Sequence, residues 1–145
     1  MSMRRRGCLE AYAGRNALEL RARRAHKRGV KTALFKLMEK HGHTRLTSSV
    51  WQEALEHKDS LAERLIERAV RALGAGAASA INLLDVEALV IGGGLGERLG
   101  EAMCERIRQA MLPHLFVSER PPDVRLAELG DLGGAIGAAR LIRVP

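Results

Sequence analysis

Between Leu9 and His26 the apolar residues Leu9, Tyr12, Ala13, Ala17, Leu20 and Ala22 recur at helical spacing among arginines and glutamates, which predicts an amphipathic helix with a weak point at Gly14. A break at Arg28-Gly29 separates it from a second helix over 31–41, whose apolar side holds Leu34, Phe35, Leu37 and Met38. Thr47-Ser48-Ser49 offers capping hydroxyls to a short helix over 50–57, with Val50, Trp51, Ala54 and Leu55 on one side. Ser60 and Glu63 have the spacing of a capping box, so a long helix is expected from there to Asp85. Its apolar face carries Leu61, Leu65, Ile66, Ala69, Val70 and Leu73, and the small residues of 74–80 would let another element come close.

The period then changes. Residues 86–91 form a β-prone run that stops at Gly92-Gly93-Gly94, and helical spacing resumes from Glu97 to Met111: strand, glycine turn, helix. Pro113 closes that helix, and Leu115-Phe116-Val117 reads as a short strand. In 123–129, Val124 and Leu126 alternate with Arg125 and Ala127, as in another strand. Gly130 and a capping Asp131 open a last helix, whose Gly133, Gly134 and Gly137 leave a bare face. Four helices followed by strand, helix, strand, helix place the chain in the α/β class with parallel strands. So small a sheet has open edges, which folds normally pair or cover, so further strands are expected outside this chain.

Composition narrows the picture. The 145 residues fit one domain, and with 46% hydrophobic content but only Tyr12, Phe35, Trp51 and Phe116 as aromatics, the core must be built from Leu, Ala, Val and Ile. Two distant cysteines, Cys8 and Cys104, are too few for a disulfide scaffold and point to a reducing compartment. No segment offers the roughly 20 apolar residues of a membrane span, and Met1 leads into arginines without a signal peptide's apolar run. A soluble, cytoplasmic protein with no membrane partner is expected. Charge is uneven: 1–50 carry 13 Lys+Arg against 3 Asp+Glu, and 51–145 carry 11 against 14. That basic end lacks interleaved aromatics and any zinc-finger or RNP spacing, so a solvated basic face is favoured over a nucleic-acid site.

Candidate chemistry is sparse when taken motif by motif. A glycine cluster between strand and helix lets backbone approach an anionic ligand. Yet G-x-G-x-x-G begun at Gly92 meets Glu97 at its last glycine, begun at Gly94 it meets Leu99, and no G-K-[ST] follows. Alone, the turn leaves ligand contact and a tight connection equally open. His41-x-His43 is the one close histidine pair, in a loop beside Lys40 and Arg45 that reads as solvated. Cys104, inside a helix, reads as a small core residue. No G-x-S-x-G occurs.

In series, however, the stretches 5–12 (RRGCLEAY), 54–62 (ALEHKDSLA), Leu73-Gly74 with 81–85 (INLLD), 89–95 (LVIGGGL) and 128–140 (ELGDLGGAIGAAR) resemble the carboxy-terminal half of the ROK family of repressors, uncharacterised frames and sugar kinases, particularly its bacterial glucokinases. The resemblance implies that 1–145 form a single partial domain, the carboxy-terminal part of an actin-like ATPase (ribonuclease H-like) domain. It implies an ATP-dependent hexose kinase, most closely a glucokinase using ATP with Mg, and a homo-oligomer. By the same resemblance Glu10 accepts hydrogen bonds from sugar hydroxyls, and its two carboxylate oxygens beside a helix N-terminus suit that role. Gly92, Gly93 and Gly94 would line the adenine and ribose side of the nucleotide cleft. Cys8 would be the last cysteine of a zinc knuckle, C-x-C-G-x-x-G-C.

The chain departs from the family in places. Met1 and Met3 stand at the knuckle's first two cysteines and Arg4 at its first glycine, and thioether sulfur is a poor zinc ligand, which counts against zinc. Lys58 stands where glycine usually precedes Asp59, and Val86 where proline usually follows Asp85. The family's D-x-G-x-T phosphate loop, its N-D pair with the catalytic base and its E-x-G-H are absent from the 145 residues, so no phosphoryl transfer by this chain alone is expected. Two other parents fit the same stretches: the effector-binding half of a ROK transcriptional repressor, and a module acting through dimerisation.

Overall fold

The computed structural model describes residues 7–142, with only the backbone of Asp131. The first expected helix is two: α1, Glu10–Ala13, and α2, Arg15–Lys27, joined at Gly14, whose extended backbone (φ −65°, ψ 144°) breaks the helical ladder. A Cβ at Gly14 would overlap the Glu10 carboxyl group, which lies over the glycine, and would sit 2.5 Å from the Glu10 carbonyl oxygen. The break re-aims the second half, so α2 buries Leu18, Ala22 and Ala25 while Leu9 and Leu20, expected on the apolar stripe, stay exposed. Glu19 is buried with them. Burial would raise its carboxyl, but the Arg23 fork at 2.7 and 2.9 Å, then Arg45 at 3.3 Å, hold it below the ordinary glutamate value.

Helix α3, Leu34–Lys40, starts later than its apolar periodicity predicts, and α4, Ser48–Glu56, is capped by Thr47, whose hydroxyl accepts from the Val50 amide at 3.4 Å. The long helix α5, Ser60–Leu84, forms as expected, but its cap is Asp59 rather than Ser60. The Asp59 carboxylate accepts from the amides of Leu61 (3.0 Å) and Ala62 (2.9 Å), and its second oxygen accepts from Ala33 N at 2.6 Å. An ionised acceptor outcompetes the Ser60 hydroxyl for these amides and ties the start of α3 to the start of α5. Asp85, in the left-handed region at φ 50°, ends α5.

Strands β1, Ala88–Ile91, and β2, Asp123–Leu126, pair in parallel, with Ala88 opposite Asp123 and Ile91 opposite Leu126. Helix α6, Gly94–Met111, connects them, beginning at the glycine turn rather than at Glu97 and kinking at Gly100 (φ 58°, ψ −149°). A 3-10 turn, Leu112–His114, carries Pro113. Residues 115–117 are not a strand: Asn82 donates to the His114 carbonyl at 2.8 Å and accepts from Phe116 N at 3.0 Å, taking the amide a ladder would need, and Phe116 and Val117 are exposed. A second 3-10 turn, Gly130–Leu132, contains Asp131, expected as a cap, whose side chain lies outside the described residues; α7, Gly133–Leu141, follows.

The main core lies among α2, α3, α4, α5 and α6, around Leu18, Leu34, Val50, Trp51, Ile66 and Ile107. A smaller cluster of Ala78, Ile81, Cys104, Met111 and Val124 joins α5 and α6 to β2, so Cys104 is the core residue its spacing predicts, and burial pushes its thiol up. The small residues of α5 serve close approach: a Cβ on Gly74 would lie 2.6 Å from the Ala110 carbonyl carbon of α6. Among the described residues no helix is long and apolar enough to cross a membrane.

Candidate ligand cleft

Where α1, α2, α4 and the β1–α6 turn converge, a cleft of about 540 Å³ opens. Glu10, Arg15 and Ser48 line it together with Gly92, Gly93 and Gly94, and Trp51, Met103 and Ile107 are among its apolar lining. The expected sugar-binding carboxylate and the expected nucleotide turn, far apart in sequence, thus share one cavity. Another hollow of about 570 Å³, between α5 and α6, is more open, is spanned by the Glu67–Arg106 ion pair at 3.0 Å, and shares Met103 with the cleft but contains neither Glu10 nor the glycines.

Each wall follows from local backbone. Gly14 turns the chain sharply after α1, which puts Glu10 at the cleft edge. On the far side β1 delivers the chain to Gly93, whose φ of 88° suits glycine, and α6 starts at Gly94 without a side-chain cap, leaving its first amides open to a ligand. Gly94 is packed as well: a Cβ there would come within 3.0 Å of the Ser48 hydroxyl. A backbone stripped of side chains at a helix start can lie against the ribose and phosphates of a nucleotide, so the turn fits such a group.

Cys8 precedes α1, half-buried, its carbonyl accepting from Ala11 N at 2.9 Å. Met1, Met3 and Arg4, at the other knuckle positions, lie outside the described residues. Among the described residues no group of three His, Cys, Asp or Glu side chains converges to hold a metal ion. His41 pairs with Glu53 at 2.6 Å and stacks on His43, 6.1 Å between ring centres. Arg15, Ser48 and Trp51 were not legible as cleft residues. Arg15 falls on the polar side of an expected unbroken helix, Ser48 reads as a cap and Trp51 as core; only the weak point at Gly14 hinted at a bend there.

The chain matches the ROK family over residues 4–144. It is 35% identical over 91 residues to an N-acetylgalactosamine kinase of Shewanella sp. (strain ANA-3), covering 63% of this chain and 29% of that kinase. Among solved structures it is similar to a ROK family glucokinase from Streptomyces griseus in complex with glucose and AMPPNP (TM-score 0.74, 31% identity, 94% of this chain and 45% of that one). It is also similar to a ROK hexokinase from Thermus thermophilus (TM-score 0.69, 31% identity, 92% of this chain and 40% of that one). The chain therefore spans less than half the length of these relatives, and its architecture is that of the actin-like sugar kinases.

Proposed function

The chain belongs to the ROK family, and we propose that it forms the sugar-carboxylate wall and the nucleotide-facing turn of an ATP-dependent hexose kinase, with glucose as the acceptor. The observation that carries this reading is the single cleft holding Glu10 and Gly92 to Gly94. Glu10 accepts hydrogen bonds from two neighbouring sugar hydroxyls and so fixes the ring's orientation. The glycine turn lays backbone amides along the nucleotide, and the apolar floor under both keeps water away. ATP with its Mg ion, when bound, supplies the phosphoryl group and neutralises its charge. Glucose is taken as the acceptor because the similar Streptomyces griseus glucokinase, 31% identical over 94% of this chain, is in complex with glucose.

No phosphate loop and no N-D base stand in the 145 residues, so the polypeptide alone binds without turning over. The test uses Trp51, the sole tryptophan, as a reporter at the cleft floor. Glucose and AMPPNP should each perturb its fluorescence saturably, and Glu10→Gln should weaken glucose about tenfold or more, the worth of a charge-assisted hydrogen bond. Unaltered glucose affinity in Glu10→Gln would remove the sugar assignment, and glucose phosphorylation by the purified chain in a coupled assay would refute the claim of inactivity. A homo-oligomer belongs to the same proposal, supported by exposed Leu83, Leu84, Phe116 and Val117 around Asn82. Sedimentation as a clean 15.9 kDa monomer would count against it.

A further inference from the structure

Among the described residues two charged side chains line the cleft, Glu10 and Arg15. Their situations differ. Glu10 has a role in the reading above, whereas Arg15 is exposed and, among the described residues, makes no hydrogen bond or ion pair. Arg23, Arg45, Arg71, Arg106, Arg108 and Arg125 are each paired with a carboxylate, and of the described arginines without such a partner Arg15 is the one that lines the cleft. The nearby carboxylate does not take it either, since Glu10 folds over Gly14. The guanidinium instead leans across the cleft: its Nη2 lies 3.8 Å from where a Cβ on Gly94 would sit, and the Ser48 hydroxyl lies 3.0 Å from the same point.

The surroundings of Arg15 are electropositive in a second way. Helices α2, α4 and α6 begin at Arg15, Ser48 and Gly94, and all three starting residues line the cleft. The N-termini of α2 and α6 carry no side-chain cap, and their first amides remain available. An unpaired planar fork of five donors beside such amides is complementary to phosphate oxygens and not to an uncharged base or sugar.

We propose that Arg15 is a specificity-determining residue of the cleft, one that contacts the phosphate chain of the bound nucleotide and makes the site select a nucleotide over its nucleoside. This rests on the nucleotide reading of the glycine turn and adds to it a residue and a chemical basis for selection. Placed at Gly94, the guanidinium meets phosphate oxygens from the α2 side while the turn's amides meet them from the α6 side. The Glu10 carboxylate, folded over Gly14 at the start of α2, borders the same cleft from the α1 side.

The test compares AMPPNP and adenosine, each titrated against the 145-residue chain, its Arg15→Ala variant and its Arg15→Lys variant, with Trp51 fluorescence and calorimetry as readouts. Arg15→Ala should weaken AMPPNP about tenfold or more and leave adenosine and glucose unchanged, while Arg15→Lys, a point charge without the fork, should fall between. Matching thermal unfolding of the variants checks that the fold persists, as expected for an exposed side chain. If wild type binds AMPPNP and Arg15→Ala binds it equally well, or if AMPPNP and adenosine weaken in parallel, the role of Arg15 is overturned and the nucleotide site stands. If wild type binds neither AMPPNP nor adenosine, both fall together.

Discussion

Lys58 holds a φ of 54°, a conformation that costs a residue with a Cβ about 1–2 kcal/mol, and it does so to deliver Asp59 to its three amides. The glycine that relatives of this family usually carry there has a physical reason in that angle. Lys58→Gly removes the strain and adds back about 0.5–1 kcal/mol of unfolded-state entropy, so a net gain of about 0.5–1 kcal/mol is expected, read as a raised thermal midpoint; a lowered midpoint would refute it. At Asp59 burial works to raise the carboxyl, but hydrogen bonds from Ala62, Ala33 and Leu61 amides and from Thr32 outweigh it and hold the group below the ordinary aspartate value. A lowered folded-state value gives stability present in full above the unfolded value, about pH 4, and lost as pH falls through the folded one. Asp59→Asn should therefore cost about 1–2 kcal/mol in urea unfolding at pH 7 and flatten the acid limb of stability against pH; equal acid limbs in both proteins would contradict this. Of the residues that line the cleft, Glu10 and the glycines were named from the sequence through the resemblance of the stretches around them. Arg15 was not, because its position depends on the bend at Gly14, which periodicity registers only as a weak point.

At the level of elements, the α5–α6 contact tests how far helix propensity matters against packing. Gly74 is buried where a Cβ would meet the Ala110 carbonyl carbon at 2.6 Å, its Cβ at 2.7 Å and its oxygen at 2.8 Å. Gly76, two residues on, would meet only the flexible end of Leu9, at 3.3 Å. Alanine at either site gains about 1 kcal/mol in propensity, but at Gly74 backbone must move, at a cost of about 1–3 kcal/mol. Gly74→Ala is expected to lose up to about 2 kcal/mol net and Gly76→Ala to be neutral or slightly stabilising, both by urea denaturation; the reverse order would show that the helices are not in close contact. The long amphipathic helix α5, the strand before the glycines and the parallel strand order were all legible because each satisfies local period and composition together. The strand expected at 115–117 has suitable residues but no free amide, since Asn82 of α5 takes that of Phe116, a tertiary contact that local composition does not encode. Likewise Asp59 displaced Ser60 as cap through an acceptor strength that the spacing rule ignores.

Across the whole molecule, stability is divided unevenly. The bundle of α2 to α6 surrounds side chains such as Leu18, Trp51, Ile66 and Ile107 that are almost fully buried. Among the described residues the sheet is two short strands with Val90 exposed, and α7 has no buried residue, with Leu132, Leu141 and Ile142 open to solvent at its ends. A nine-residue helix is below the length at which isolated helices persist, about 12–15 residues, and a two-stranded sheet is marginal without further packing. Both belong to the layer in which the α/β pattern leaves open edges, so their order depends on whatever covers them, whereas the bundle is held by its own core. Native-state hydrogen exchange on the 145-residue chain separates these regimes. Amides of α5 and of α6 beyond Gly100 should exchange only through global opening, with free energies tracking urea stability, while those of α7 should exchange near the rate of unprotected peptide and respond little to denaturant. β1 and β2 should fall between, their shared amides protected by one ladder and by the α6 contact through Val124. Protection of α7 equal to that of α5 would show that the helix is held by contacts within the chain itself, and would overturn the view that this layer is completed from outside it.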